Sequence, residues 1–178
     1  MSRLTSALLP LLFLATAPRL HAQAATDLSD PEVAHVAVTA NSIDIELAKF
    51  AQPRLRSEPA RKFAVTMVTD HSAVNEQAAA LASRLGVTPK DNAVSQSLLK
   101  GAAEAKASLE KAQGAAFDRA YMDREVAYHQ AVLDALDGLL IPTTSNAELK
   151  KLLVDVRPAI AAHLAHAKKL QSSLVAAK

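Results

Sequence analysis

An all-α helical bundle is the fold this sequence predicts, and three observations predict it. Apolar residues recur at alternating spacings of three and four in four long stretches, the period of amphipathic helices. No stretch alternates with period two, so nothing reads as a strand. Much of the apolar content is alanine, with only 4 Phe, 2 Tyr and no Trp in 178 residues. Cores of that kind suit closely approaching helices better than a sheet.

The elements follow in chain order. Arg3 opens a short positive segment, Leu4 to Ala17 is an apolar core broken by Pro10, and Ala22-Gln23-Ala24 has the small-x-small cleavage pattern. This reads as a secretory signal peptide over residues 1–24, cut after Ala24. Its apolar run falls short of the roughly 20 residues a bilayer span takes. The sequence holds no cysteine, so a lipid anchor on cysteine is excluded. Residues 25–29 form a short tail, and residues 30–178 form one bundle domain. The expected location is the bacterial periplasm.

Ser29 and Glu32 match a capping box, with Pro31 in the first turn. The first main helix then carries Val33, Val36, Ala40, Ile43, Leu47 and Phe50, and Pro53 is expected to end or bend it. Ser57-Glu58-Pro59 opens the second, striped by Phe63, Met67, His71, Val74, Ala78, Leu81 and Leu85, with Gly86 as its stop. Thr88 to Asp91 restarts the chain with a cap-like pattern, and a weaker helical stripe runs to Gly114. The third main helix carries Phe117, Tyr121, Glu125, His129, Val132 and Leu136, closed by Gly138 and Pro142. Ser145 to Glu148 caps the fourth, which runs to about Ala176 with Pro158 inside it, where a kink is expected.

The segment from Thr88 to Gly114 decides the topology. About 25 helical residues rise roughly 37 Å, enough to carry the chain back along the bundle. The second and third main helices are then parallel, as in ferritin-like four-helix bundles with one long crossover. The rival is a single helix from Pro89 to Asp137; Gly114 and a slip in phase beside it favour the break.

Charge and cysteine content exclude several function classes. The chain has 20 Lys+Arg and 18 Asp+Glu; without Arg3 and Arg19 the mature chain is formally neutral. Nucleic-acid binders carry a basic surplus or stripe, and none is visible. With no cysteine there are no disulfides, thiolate nucleophiles, zinc fingers or iron–sulfur clusters. No Gly-x-Ser-x-Gly elbow and no phosphate-binding glycine loop occurs. No segment after the signal peptide is apolar enough to span a membrane.

Three strings look familiar together. FAVTMVTDHSAVNEQAAALASRLGVTP, FDRAYMDREVAYHQAVLDAL and RPAIAAHLAHAKKL each place a histidine at a set position. Over roughly residues 30–175 the chain resembles the bacterial domain-of-unknown-function 4142 family, often labelled "predicted outer membrane protein". The resemblance implies a ferritin-like bundle and an exported protein, and no established activity. The outer-membrane label fits poorly, because a barrel needs alternating lipid-facing and lumen-facing residues.

His71, His129 and His163 fall on the apolar stripes of three different helices, and a buried polar group is costly unless partnered. With parallel helices, His71 and His129 lie at nearly equal heights and are expected to meet in the interior. His163, counted from the loop near residue 143, is offset by roughly 9 Å. Glu46, beside Ile43 and Phe50, is the candidate carboxylate; Glu125 lies one turn before His129, and Asp70 adjoins His71. Such a set suits iron, manganese or zinc. It is not the di-iron pattern, which takes Glu-x-x-His on each of two helices. His35 and His166 read as solvated flanks, Tyr121 and Tyr128 as core-edge residues, and Asp118-Arg119, Asp123-Arg124 and Lys168-Lys169 as ordinary charged faces.

Two readings result. In the first, the protein is a non-enzymatic periplasmic bundle with a structural, protective or partner-binding role, its partner a protein or a second copy of the chain. There each histidine donates to a carboxylate or carbonyl and fixes helix register. In the second, the His/Glu cluster binds a metal in a ferritin-like core.

Overall fold

The computed structural model describes residues 28–176. The expected signal peptide, its cleavage site and most of the short tail lie outside the described residues. Among the described residues five long helices make up the fold: α1 (Asp30–Ala51), α2 (Glu58–Leu85), α3 (Ala93–Glu110), α4 (Gly114–Ala135) and α5 (Ala147–Ala176). No strand occurs among the described residues.

Most ends sit where local chemistry puts them. Glu32 accepts from the Ser29 amide at 3.0 Å, with Pro31 in the first turn of α1. Ser57 accepts from the Ala60 amide at 3.4 Å, and α2 stops at Gly86 with φ +63°, a left-handed conformation suited to glycine.

Three boundaries differ from expectation. The α3 cap is Asn92, whose side chain accepts from the Val94 and Ser95 amides at 3.0 and 3.1 Å. Asp91, placed in the cap by the sequence pattern, instead accepts from the Ser95 hydroxyl at 2.7 Å. Asn146, one residue later than the predicted cap, accepts from the Glu148 and Leu149 amides at 3.0 Å each. Gly138 and Pro142 do not close α4. The chain continues through a π-helical turn, Leu136–Leu140, and a last turn, Ile141–Thr143. The Ile141 amide reaches back to Leu136, and this wider turn carries the helix up to a proline that has no amide to donate.

The long-helix rival is not what forms. The chain breaks between Glu110 and Gly114, and Gly114 takes φ +58°. That left-handed backbone favours glycine, and a Cβ there would sit 3.3 Å from the Arg56 guanidinium carbon and displace that side chain.

The start of α3 meets the start of α1, where the Lys90 amide donates to the Pro31 carbonyl at 2.9 Å. Its far end reaches Phe50, over whose ring Lys106 lies. Thus α3 runs parallel to α1 and returns the chain, leaving α2 and α4 parallel. Asp118 ties their starts together, accepting from the Arg56 and Ser57 amides at 3.0 and 2.7 Å. That buried role replaces the charged-face reading of Asp118. The connectivity is the one-crossover bundle expected.

The core is in two parts. One gathers Leu47, Phe63, Met67, Phe117, Tyr121 and Met122; the other gathers Val33, Val36, Leu133, Leu136, Leu153 and Ile160. Where the two parts meet lies a layer of buried polar side chains, Asn41, Asp44, His71, Glu125, His129 and His163. No helix of the described residues is long and apolar enough to cross a membrane.

Candidate metal centre

Each main helix sends a side chain with a metal-ligand atom into that polar layer: Asp44 from α1, His71 from α2, His129 from α4 and His163 from α5. All four are buried. The three imidazoles form a near-equilateral triangle, with ring centroids 5.8 Å (His71–His129), 5.4 Å (His71–His163) and 5.5 Å (His129–His163) apart. Each offers a ligand atom, and these lie within 4.8 Å of one another; so do atoms of Asp44, Glu125 and His129.

The offset expected for His163 closes for a geometric reason. Measured from the helix ends Thr143 and Ala147 rather than from the loop midpoint, His129 and His163 differ in height by about 3 Å. The intervening loop turns the chain without adding rise.

Hydrogen bonds assign the tautomers. His71 Nδ1 lies 2.7 Å from Asn41 Oδ1, an acceptor. His129 Nδ1 lies 3.0 Å from the Glu125 carbonyl oxygen. His163 Nε2 lies 2.9 Å from Asp70 Oδ2. Each of these nitrogens therefore carries the proton and donates it outward. The opposite nitrogens, His71 Nε2, His129 Nε2 and His163 Nδ1, are left with lone pairs, and all three are buried without a partner. Asp44 Oδ2 and Glu125 Oε2 are buried and unpartnered as well. His71 Nε2 and His129 Nε2 lie 3.2 and 3.9 Å from Asp44 Oδ2. With the ring protons committed elsewhere, lone pairs face lone pairs across these gaps. A cation at that point would relieve the arrangement. Ligating histidines characteristically donate their other ring nitrogen to a carboxylate or carbonyl, as these do.

Arg124 holds the two carboxylates. Its guanidinium bonds Asp44 Oδ1 and, at 2.6 Å, Glu125 Oε1, and it stacks 3.9 Å over the Tyr128 ring. Burial opposes ionisation of Asp44, but the Arg124 guanidinium outweighs it and holds its carboxyl below the usual range. Burial and the neighbouring Asp44 charge raise the Glu125 carboxyl. Burial lowers His71, and it lowers His129 to about 4, so both rings are neutral near pH 7, the form that ligates. Three imidazoles and one carboxylate make a donor set for zinc, manganese or iron, with Glu125 beside it as a further oxygen.

The structure brings together five of the six side chains named from the sequence. His71, His129, His163 and Glu125 form the cluster, and Asp70 supports it by holding His163. Glu46 is not part of it. Its side chain is 72% exposed and pairs with Lys49 at 3.2 Å. The carboxylate on α1 is Asp44, two positions away and so about 200° around the helix. The apolar stripe of α1 pointed to the wrong phase because the buried part of this helix is wider than the stripe: Asn41 and Asp44 are buried together with Ile43 and Leu47, and they turn toward His71 of α2 and Arg124 of α4. Arg124 is likewise no ordinary surface charge. Its spacing from His129 hides it, whereas an Arg adjoining Glu125 on a histidine-bearing stripe was the available signal. Tyr128, at the edge as expected, donates to the Ala40 carbonyl at 2.8 Å.

Residues 15–170 match the family described as a domain of unknown function, DUF4142. This chain belongs to the DUF4142 family. No curated protein and no solved structure matches it significantly.

Proposed function

We propose that this DUF4142 protein is an exported metal-binding helical bundle, with a mononuclear zinc, manganese or iron centre held by Asp44, His71, His129 and His163. One observation carries the reading. Three buried imidazole nitrogens from three helices lack partners and lie together, two of them beside the Asp44 carboxylate, while each opposite N–H is engaged. A buried polar atom left unsatisfied costs on the order of 1–3 kcal/mol, and here several cluster at one point. Metal binding offsets that cost. Export rests on the Ala22-Gln23-Ala24 pattern behind an apolar run.

Elemental analysis of the freshly purified mature protein, followed by titration of the chelator-treated protein with zinc, manganese and iron(II), tests the centre. One equivalent of metal per chain with a raised melting temperature is expected. The structural reading draws on the same N–H bonds, which tie α2 to α1 and α5 to α2. It predicts a melting temperature that none of the three metals changes.

A further inference from the structure

A cavity of about 530 Å³ fills the bundle on the side of the polar layer away from Phe117. That volume falls within the range of small-molecule sites. All four main helices line it. Along α1 it extends from Asp30 to Asn41, about 16 Å of helical rise at 1.5 Å per residue. Alanines at positions 34, 37, 78 and 82 leave the space that larger side chains would fill. It is partly open to solvent: among its lining residues Ala79 is exposed and Ala34, Ala37, Leu85 and Val156 are half-buried.

The inner end is of different character. Asn41, Asn75, Val132 and Ile160 line it, and each lies three or four residues from Asp44, His71, His129 or His163 on its own helix. The floor of the cavity is thus the roof of the histidine cluster. Asn75 Nδ2 donates to the Ser42 hydroxyl at 3.2 Å, while Asn75 Oδ1 is buried with no donor. The one charged residue in the lining is Asp30, at the opposite end, and its carboxylate already accepts the Ser145 and Asn146 amides. No lining cation is present to hold an anionic head.

We infer that this cavity binds an unbranched, uncharged amphiphile, its alkyl chain along the apolar walls and its hydroxyl at the inner end donating to Asn75 Oδ1. None of the lining residues is a proposed metal ligand, so the inference stands apart from the metal reading.

Isothermal titration of the chelator-treated mature protein with 1-decanol tests it. Saturable one-to-one binding is expected, with at least tenfold weaker binding of nonyl methyl ether, which has the same reach and no proton to donate. Ala37→Leu and Ala78→Leu, each checked for helical circular dichroism, narrow the cavity without touching the histidines. Each should weaken decanol binding at least tenfold. The inference is overturned if decanol binding is absent or not saturable, if the ether binds equally well, or if binding is undiminished in whichever of these two variants folds.

Discussion

Replacing His129 by leucine separates a metal ligand from a structural histidine by the sign of its effect. In the metal-free protein, His129→Leu removes a buried nitrogen that has no partner, Nε2, worth about 1–3 kcal/mol in relieved desolvation. It also removes the Nδ1 bond to the Glu125 carbonyl at 3.0 Å, worth about 1 kcal/mol net. That carbonyl lies within α4 and keeps its ladder bond, so no acceptor is orphaned. Leucine is close to histidine in volume and packs against the buried Phe63, whose ring is 6.3 Å from that of His129. The balance is neutral to stabilising by about 2 kcal/mol in the metal-free state, roughly 0 to +8 °C at 2–4 °C per kcal/mol. With metal at a hundred times its Kd, the wild type gains about 2.7 kcal/mol by mass action and the variant does not. The order of melting temperatures therefore reverses between the two conditions. The chain has no Trp, so far-ultraviolet circular dichroism is the probe. A metal-free variant destabilised by more than 2 kcal/mol, together with a wild type that metal leaves unchanged, would refute the reasoning.

Asp44→Ala should abolish the metal-induced rise and cost the metal-free fold about 3–5 kcal/mol, because it strips a buried partner from Arg124. Glu46→Ala should leave metal affinity and stability within about 0.5 kcal/mol of wild type in the same titration, as befits a surface residue. Acid should destabilise the metal-free protein through His129: its ring titrates near 4 when folded against 6.5 when unfolded, so the unfolded chain gains its proton first. Stability is then unaffected above pH 6.5 and falls as the pH drops toward 4, by at most about 3 kcal/mol, a slope that His129→Leu should reduce in thermal melts across that range. Mass spectrometry of envelope fractions should find a mature N-terminus at Ala25, or within two or three residues of it; an intact Met1 on cytoplasmic protein would contradict export.

What the sequence by itself determined is whatever its near neighbours control. Pro59, Gly86 and the Ser29/Glu32 cap mark helix ends because capping and left-handed turns act over three or four residues. The crossover was legible from the length of one helical segment and from Gly114, and parallel α2 and α4 followed, which put His71 and His129 at one height. Tertiary structure alone decided the rest. A hydrophobic stripe reports one buried face, so it pointed to Glu46; the packing of α1 against α2 and α4 buries Asp44 instead, between His71 and Arg124. Arg124 looked like solvent-facing charge until two carboxylates from different helices closed around it. The loop that turns without rising brought His163 level with its partners. The unsatisfied lone pairs that point to a metal exist only once Asn41, the Glu125 carbonyl and Asp70 have claimed the ring protons. That choice depends on angles between side chains of separate helices, which local spacing does not encode.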